Sequence, residues 1–135
     1  MADMKEEPKN LEAEMCVLGC AYMSSSALEK VCDELSSDMF YDKRNSVIYD
    51  ALSELKKRNE KIDSTILKNE IEKNTPINSV GGVEYLSDVI DSVVSASNID
   101  SYIKIVREKA LRRKLITVCE DIEKNARVED QDTND

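Results

Sequence analysis

Residues Ile99 to Ala126, IDSYIKIVREKALRRKLITVCEDIEKNA, contain neither Gly nor Pro and are rich in Ile, Leu, Lys, Arg, Glu and Ala. This composition favours helix throughout, and one element of about 28 residues exceeds the usual 8–20 of a globular helix. Its apolar residues form two stripes in succession: Ile99, Ile103, Val106 and Ala110, then Leu111, Leu115, Val118 and Ile122. The second stripe is one residue out of phase, which turns it by roughly 100° about the helix axis. The two halves therefore face different things. The first half is predicted to lie on the rest of the chain. The second half projects and needs another helix or another chain, because an exposed apolar row is unfavourable in water.

Upstream of this element the same 3.6-residue periodicity marks five shorter helices. Asn10 is a plausible N-cap for a helix carrying Leu11, Met15, Leu18 and Tyr22 as one apolar stripe. Ser24, Ser25 and Ser26 interrupt it and cap a second helix with Leu28, Val31 and Leu35, which ends in the loop Ser36-Ser37-Asp38. After the corner Met39-Phe40-Tyr41, a third helix runs through Val47, Ile48, Ala51, Leu52 and Leu55 to a polar stop near Asn59. Asp63 and Ser64 can cap a fourth helix with Ile66, Leu67 and Ile71, and Pro76 lies in the loop after it. Gly81-Gly82 opens a fifth, carrying Val83, Leu86, Val89, Ile90 and Val93; its start needs a tight backbone approach or an unusual φ/ψ. Asp38, Asp63 and Asn98 are placed as caps, and Gly19 as a point of close helix packing. Leu11, Val17, Leu18, Phe40, Leu86, Val106 and Ala110 are candidate core residues.

No segment of useful length alternates like a strand, so the fold class is all-α: a compact bundle of about five short helices followed by one long projecting helix. At 135 residues the chain has the size of one domain. Residues 1–9 are expected to be a flexible lead-in, 10–126 the domain, and 127–135 a disordered acidic tail. One Phe and no Trp leave aliphatic side chains to fill the core. Without an apolar run of about 18 residues or a basic leader before an apolar stretch, the chain reads as cytoplasmic and not membrane-bound.

The net charge of −9 argues for protein partners, since affinity for phosphate backbones comes from clustered Lys and Arg. The charge is uneven, however. Lys104, Arg107, Lys109, Arg112, Arg113 and Lys114 face only Glu108 between positions 104 and 114. Lys104, Arg107, Arg112, Arg113 and Lys114 are thus possible nucleic-acid contacts, although their spread around the helix is also what solubilising side chains do.

The inventory for catalysis is poor. There is no His, and three glycines cannot build a GxxxxGK[ST] phosphate loop or a GxGxxG fingerprint. Cys16 and Cys20 stand one helical turn apart, but no CxxC pair or His completes a zinc site; with Cys32 and Cys119 they read as reduced, mostly buried thiols. Glu12 with Glu14, and Glu120, Asp121 with Glu123, read as solvated faces rather than acid/base pairs. No catalytic residue, metal or cofactor is expected. The chain reads as a binding module.

Several words in order resemble the N-terminal domain of the DnaB-like replicative DNA helicases. They are Pro8 followed by Leu11-Glu12-Ala13-Glu14 and Val17-Leu18-Gly19, then Asp38-Met39-Phe40-Tyr41 with Ile48-Tyr49, then Ile62-Asp63-Ser64-Thr65-Ile66-Leu67. Gly81-Gly82-Val83-Glu84-Tyr85-Leu86, Ser95-Ala96-Ser97-Asn98-Ile99 and Ile105-Val106-Arg107-Glu108-Lys109-Ala110 follow. Their order and spacing over roughly residues 8–126 carry the resemblance, because independent levels of the sequence agree.

The resemblance implies a non-catalytic docking and ring-assembly head for DNA replication. Its partners would be neighbouring subunits, a primase C-terminal domain and a helicase loader. ATP and magnesium belong to a separate RecA-like motor domain that this sequence does not contain, and DNA would be met through that parent helicase. The alternative is a stand-alone accessory protein touching DNA through residues 104–114. The family's partner contacts fall on the positions of Tyr85, Ile116 and Ile122, near where the Gly81-Gly82 helix is expected to meet the long one. The opposing reading is that Tyr85 and Ile122 are buried core. Leu111, Leu115, Val118 and Ile122 are the candidates for self-association. The sequence departs from the family pattern twice: only the first arm of a helical hairpin is present, and Lys43-Arg44-Asn45-Ser46 stands where many relatives carry a His.

Overall fold

The computed structural model describes residues 6–93 and 98–128. The expectations for residues 1–5, for Ser95 to Ser97 and for residues 129–135 lie outside them. The described residues form six α-helices and no strand: α1 (Leu11–Met23), α2 (Ser25–Glu34), α3 (Lys43–Lys57), α4 (Ser64–Glu72), α5 (Gly82–Asp91) and α6 (Ile99–Ala126). Short 3-10 turns at Ser37–Met39 and Ile77–Val80 occupy two stretches read from sequence as loops.

Local chemistry sets most boundaries. The Asn10 side chain accepts from the Ala13 N–H at 2.9 Å and starts α1. Ser24 serves two helices: its N–H donates to Cys20 O at 3.0 Å to end α1, and its hydroxyl accepts from the Ala27 N–H at 3.2 Å to begin α2. Asp63 caps α4 through the Ile66 N–H at 2.8 Å. Asn59, at φ 58°, closes α3 in the left-handed region that Asn tolerates. Two expected caps fail. Asp38 accepts from the Ser36 hydroxyl, and α3 is capped by Asp42, which accepts from the Arg44 N–H at 2.9 Å. Asn98 precedes α6 without a side-chain cap.

The core is organised around α1, which contacts α2, α3, α5 and α6. Because it is enclosed by four helices, α1 is buried on more than one stripe: Ala13, Cys16, Val17, Leu18, Cys20 and Ala21 are all core, while Leu11, expected inside, is 37% exposed. Gly19 permits the approach of α5. A methyl group there would lie 2.6 Å from the Val89 carbonyl oxygen. Gly81 and Gly82 both take positive φ, 89° and 74°, so the unusual-dihedral reading of the α5 entry holds. Phe40 and Tyr49 stack obliquely at 5.4 Å between ring centroids, anchoring the corner before α3.

The four cysteines are reduced thiols, but only Cys16 and Cys20 are buried; Cys32 is half-buried and Cys119 exposed. No described helix is long and apolar enough to cross a membrane.

Candidate partner-binding surfaces

The long helix divides where its sequence divides. Ile99, Ile103 and Val106 are buried against the bundle and Ala110 is half-buried. Leu111, Leu115, Val118 and Ile122 are 59%, 56%, 46% and 63% exposed. They make a continuous apolar row on the part of α6 beyond its last buried residue, Val106.

The other predicted contacts do not gather at one place. α5 and α6 both pack on α1, which lies between them, and touch each other at most marginally. Tyr85 instead faces α3. Its hydroxyl donates to Asn45 Oδ1 at 2.5 Å, and the Arg44 guanidinium covers its ring at 3.8 Å from the centroid. Burial first of all pushes the Tyr85 phenol up to about 12. Ile116 is half-buried and lies off the exposed row, whereas Ile122 belongs to it. The expected meeting of the Gly81-Gly82 helix with the long helix is therefore corrected: α1 occupies that space.

The basic segment is divided as well. Arg107 pairs with Glu34 at 3.2 Å and Lys30 with Asp100 at 3.2 Å, two exposed links between α2 and α6 that add little stability. Arg113 is committed further. It donates to the carbonyls of Pro8 and Met39, each at 2.8 Å, and lies 5.5 Å from the Tyr41 ring centroid. Lys104, Arg112 and Lys114 have no hydrogen bond or ion pair among the described residues. Lys104 and Lys114 line an open groove of about 1050 Å³ between α2 and α6, with Glu34, Asp38, Met39 and Leu111.

Sequence reasoning missed Glu14. Read as part of a solvated face, it is 2% exposed, and its carboxylate accepts from the Tyr41 N–H at 2.7 Å, the Asp42 N–H at 3.3 Å and Asn45 Nδ2 at 2.9 Å. Its burial is tolerable because it is fully hydrogen-bonded. Arg44 and Asn45 fall in the segment that departs from the family pattern. There the Asp42 carboxyl is held below the usual carboxylate range chiefly by the Arg44 side-chain hydrogen bond. Glu14 sits within the Leu-Glu-Ala-Glu word, the only sequence signal that could have pointed to it.

The described residues contain no cluster of His, Cys, Asp or Glu able to hold a metal ion. A family model described as the DnaB-like helicase N terminal domain matches residues 6–108. The chain belongs to this family. The replicative DNA helicase DnaC of Bacillus subtilis is 35% identical over 128 residues, covering 95% of this chain and 28% of the relative. The replicative DNA helicase DnaB of Treponema pallidum is 36% identical over 114 residues, covering 84% and 26%. The chain thus spans about a quarter of the length of these curated relatives.

The crystal structure of the N-terminal domain of DnaB helicase from Mycobacterium tuberculosis matches at a TM-score of 0.89 and 30% identity, over 96% of this chain and 91% of that one. The N-terminal domain of the Helicobacter pylori DnaB helicase, described with its interactions with primase, shares the fold at a TM-score of 0.75 and 21% identity, over 85% and 89%. A DnaB-like N-terminal domain is the non-catalytic region of a replicative helicase. The all-α reading and the resemblance both hold.

Proposed function

We propose that this DnaB-like domain is the docking and assembly head of a replicative DNA helicase, working in the cytoplasm and using the distal half of α6 as its principal contact surface. The observation that carries the reading is the exposed row of Leu111, Leu115, Val118 and Ile122 on a helix that projects from a finished core. A neighbouring subunit covers the row on assembly. The primase C-terminal domain, or a loader, docks through Ile116 and the Ile122 end of the row, a residue both contacts share, with Tyr85 forming a separate contact on the α3 side. ATP and magnesium act in a motor domain of the parent helicase, and this domain takes no cofactor. The Helicobacter pylori relative, described with its interactions with primase, supports the choice of partner.

Sedimentation equilibrium tests the assembly role. A concentration-dependent dimer or larger species is expected, and Leu115→Glu should return it to monomer; a wild type that stays monomeric at high concentration overturns this role. For docking, Ile116→Ala and Ile122→Ala should each weaken calorimetric binding of the primase C-terminal domain about 30-fold, the effect of losing a central anchor of about 2 kcal/mol. Unchanged affinity in both removes them from the interface. Direct DNA contact is the second reading, favoured only by the unpaired Lys104, Arg112 and Lys114. It requires a gel shift that weakens steeply with salt.

A further inference from the structure

Among the described residues, Val106 is the last of α6 to be buried, and Arg113 is the last to make a hydrogen bond or ion pair with another element. Two turns of helix, roughly 10 Å, separate them. Over that distance Arg113 reaches back to three places: the Pro8 carbonyl in the segment before α1, the Met39 carbonyl at the end of the 3-10 turn, and the ring of Tyr41. Lys9 covers the same ring at 4.8 Å, so the segment before α1 is itself held against this corner. Pro8 and Lys9, read from sequence as the end of a flexible lead-in, are part of the bundle at this point.

The angular position of Arg113 gives this contact its meaning. At about 100° per residue, Leu111, Leu115, Val118 and Ile122 lie roughly 140–200° around the helix from Arg113. The strap and the exposed row are on opposite sides of α6. We propose that Arg113 is a positioning residue that locks the distal half of α6 to the head and thereby fixes the direction in which the apolar row projects. A guanidinium suits the task. Its fixed fork of donors can satisfy two carbonyls at once while its plane lies near an aromatic ring, which a single ammonium cannot reproduce. Because one of the carbonyls belongs to Pro8, the direction of the long helix is coupled to the segment before α1. The inference rests on contacts within the chain and stands whether or not primase or a second copy is the partner.

Electron–electron spin distance measurements on the full chain test it. Nitroxides are placed on the native exposed Cys119 and on Glu29→Cys of α2, with Cys32→Ala removing the half-buried thiol and excess unlabelled protein suppressing distances between chains. The Arg113-containing protein should give one narrow distance distribution. Arg113→Ala should broaden it and shift its mean, Arg113→Lys should do so partially, and deletion of residues 1–8 should reproduce part of the effect. A narrow, unshifted distribution in folded Arg113→Ala overturns the proposal, even if its melting temperature falls. Should that variant fail to fold, Arg113→Lys and the deletion decide in its place, and unchanged distributions in both overturn it equally.

Discussion

The Tyr85 hydroxyl donates to Asn45 Oδ1 at 2.5 Å, while the amide nitrogen of the same Asn45 donates to Glu14 Oε1 at 2.9 Å. One buried side chain thus joins α5 to α1 through α3. Asn45 is 0% exposed and Glu14 2%, so water cannot replace a lost partner. Among the described residues no buried side-chain nitrogen or oxygen lacks a hydrogen bond, and this network satisfies the two most buried polar side chains, Asn45 and Glu14.

Asn45→Ala is expected to cost about 2–3 kcal/mol, because it leaves a carboxylate and a phenol short of partners at once. Tyr85→Phe should cost about 1–2 kcal/mol on the same reasoning. The double variant should cost clearly less than the sum, since Tyr85→Phe no longer removes a bond once Asn45 is gone. Urea unfolding of the four proteins measures this directly, and strictly additive costs would show that the three side chains act independently.

Gly19→Ala should destabilise the domain by about 1–3 kcal/mol, the usual range for overpacking a tight contact. The reason is specific: the added methyl meets the Val89 backbone oxygen at 2.6 Å, and backbone cannot swing aside as a flexible side chain can. A thermal melt unchanged from wild type would mean that α5 slides on α1 at little cost.

Glu70 is buried, bonds Arg58 at 2.5 Å and Lys73 at 3.0 Å, and has its carboxyl lowered from 4.5 to about 2, chiefly by the Arg58 hydrogen bond. A carboxyl whose folded pKa is depressed contributes stability that is complete above its unfolded value and is lost as protonation proceeds. The contribution should therefore be present above about pH 4.5 and disappear as pH falls towards 2. Glu70→Gln should flatten stability against pH across that window and, with Arg58 partly exposed and screened, cost on the order of 1 kcal/mol at neutral pH. An unchanged acid slope in the variant would place the loss of stability in other carboxyls.

What the sequence by itself determined is the part of this protein governed by neighbours in the chain. Apolar spacing placed the helices; Asn10, Ser24 and Asp63 placed their starts, because a cap reaches only two or three residues ahead. The phase slip between Ala110 and Leu111 was enough to show that α6 has two differently directed faces, because helical geometry converts a one-residue step into a rotation. The tertiary structure alone decided the rest. It enclosed α1 on several sides, turned Glu14 from an apparent surface carboxylate into the buried end of a network spanning three helices, and set α1 between α5 and α6 so that Tyr85 and Ile116 are not neighbours. It also bent Arg113 back onto carbonyls more than 70 residues away in the chain. Such contacts depend on which elements approach one another, and a charged residue's period along a helix is the same whether it meets water or a buried donor.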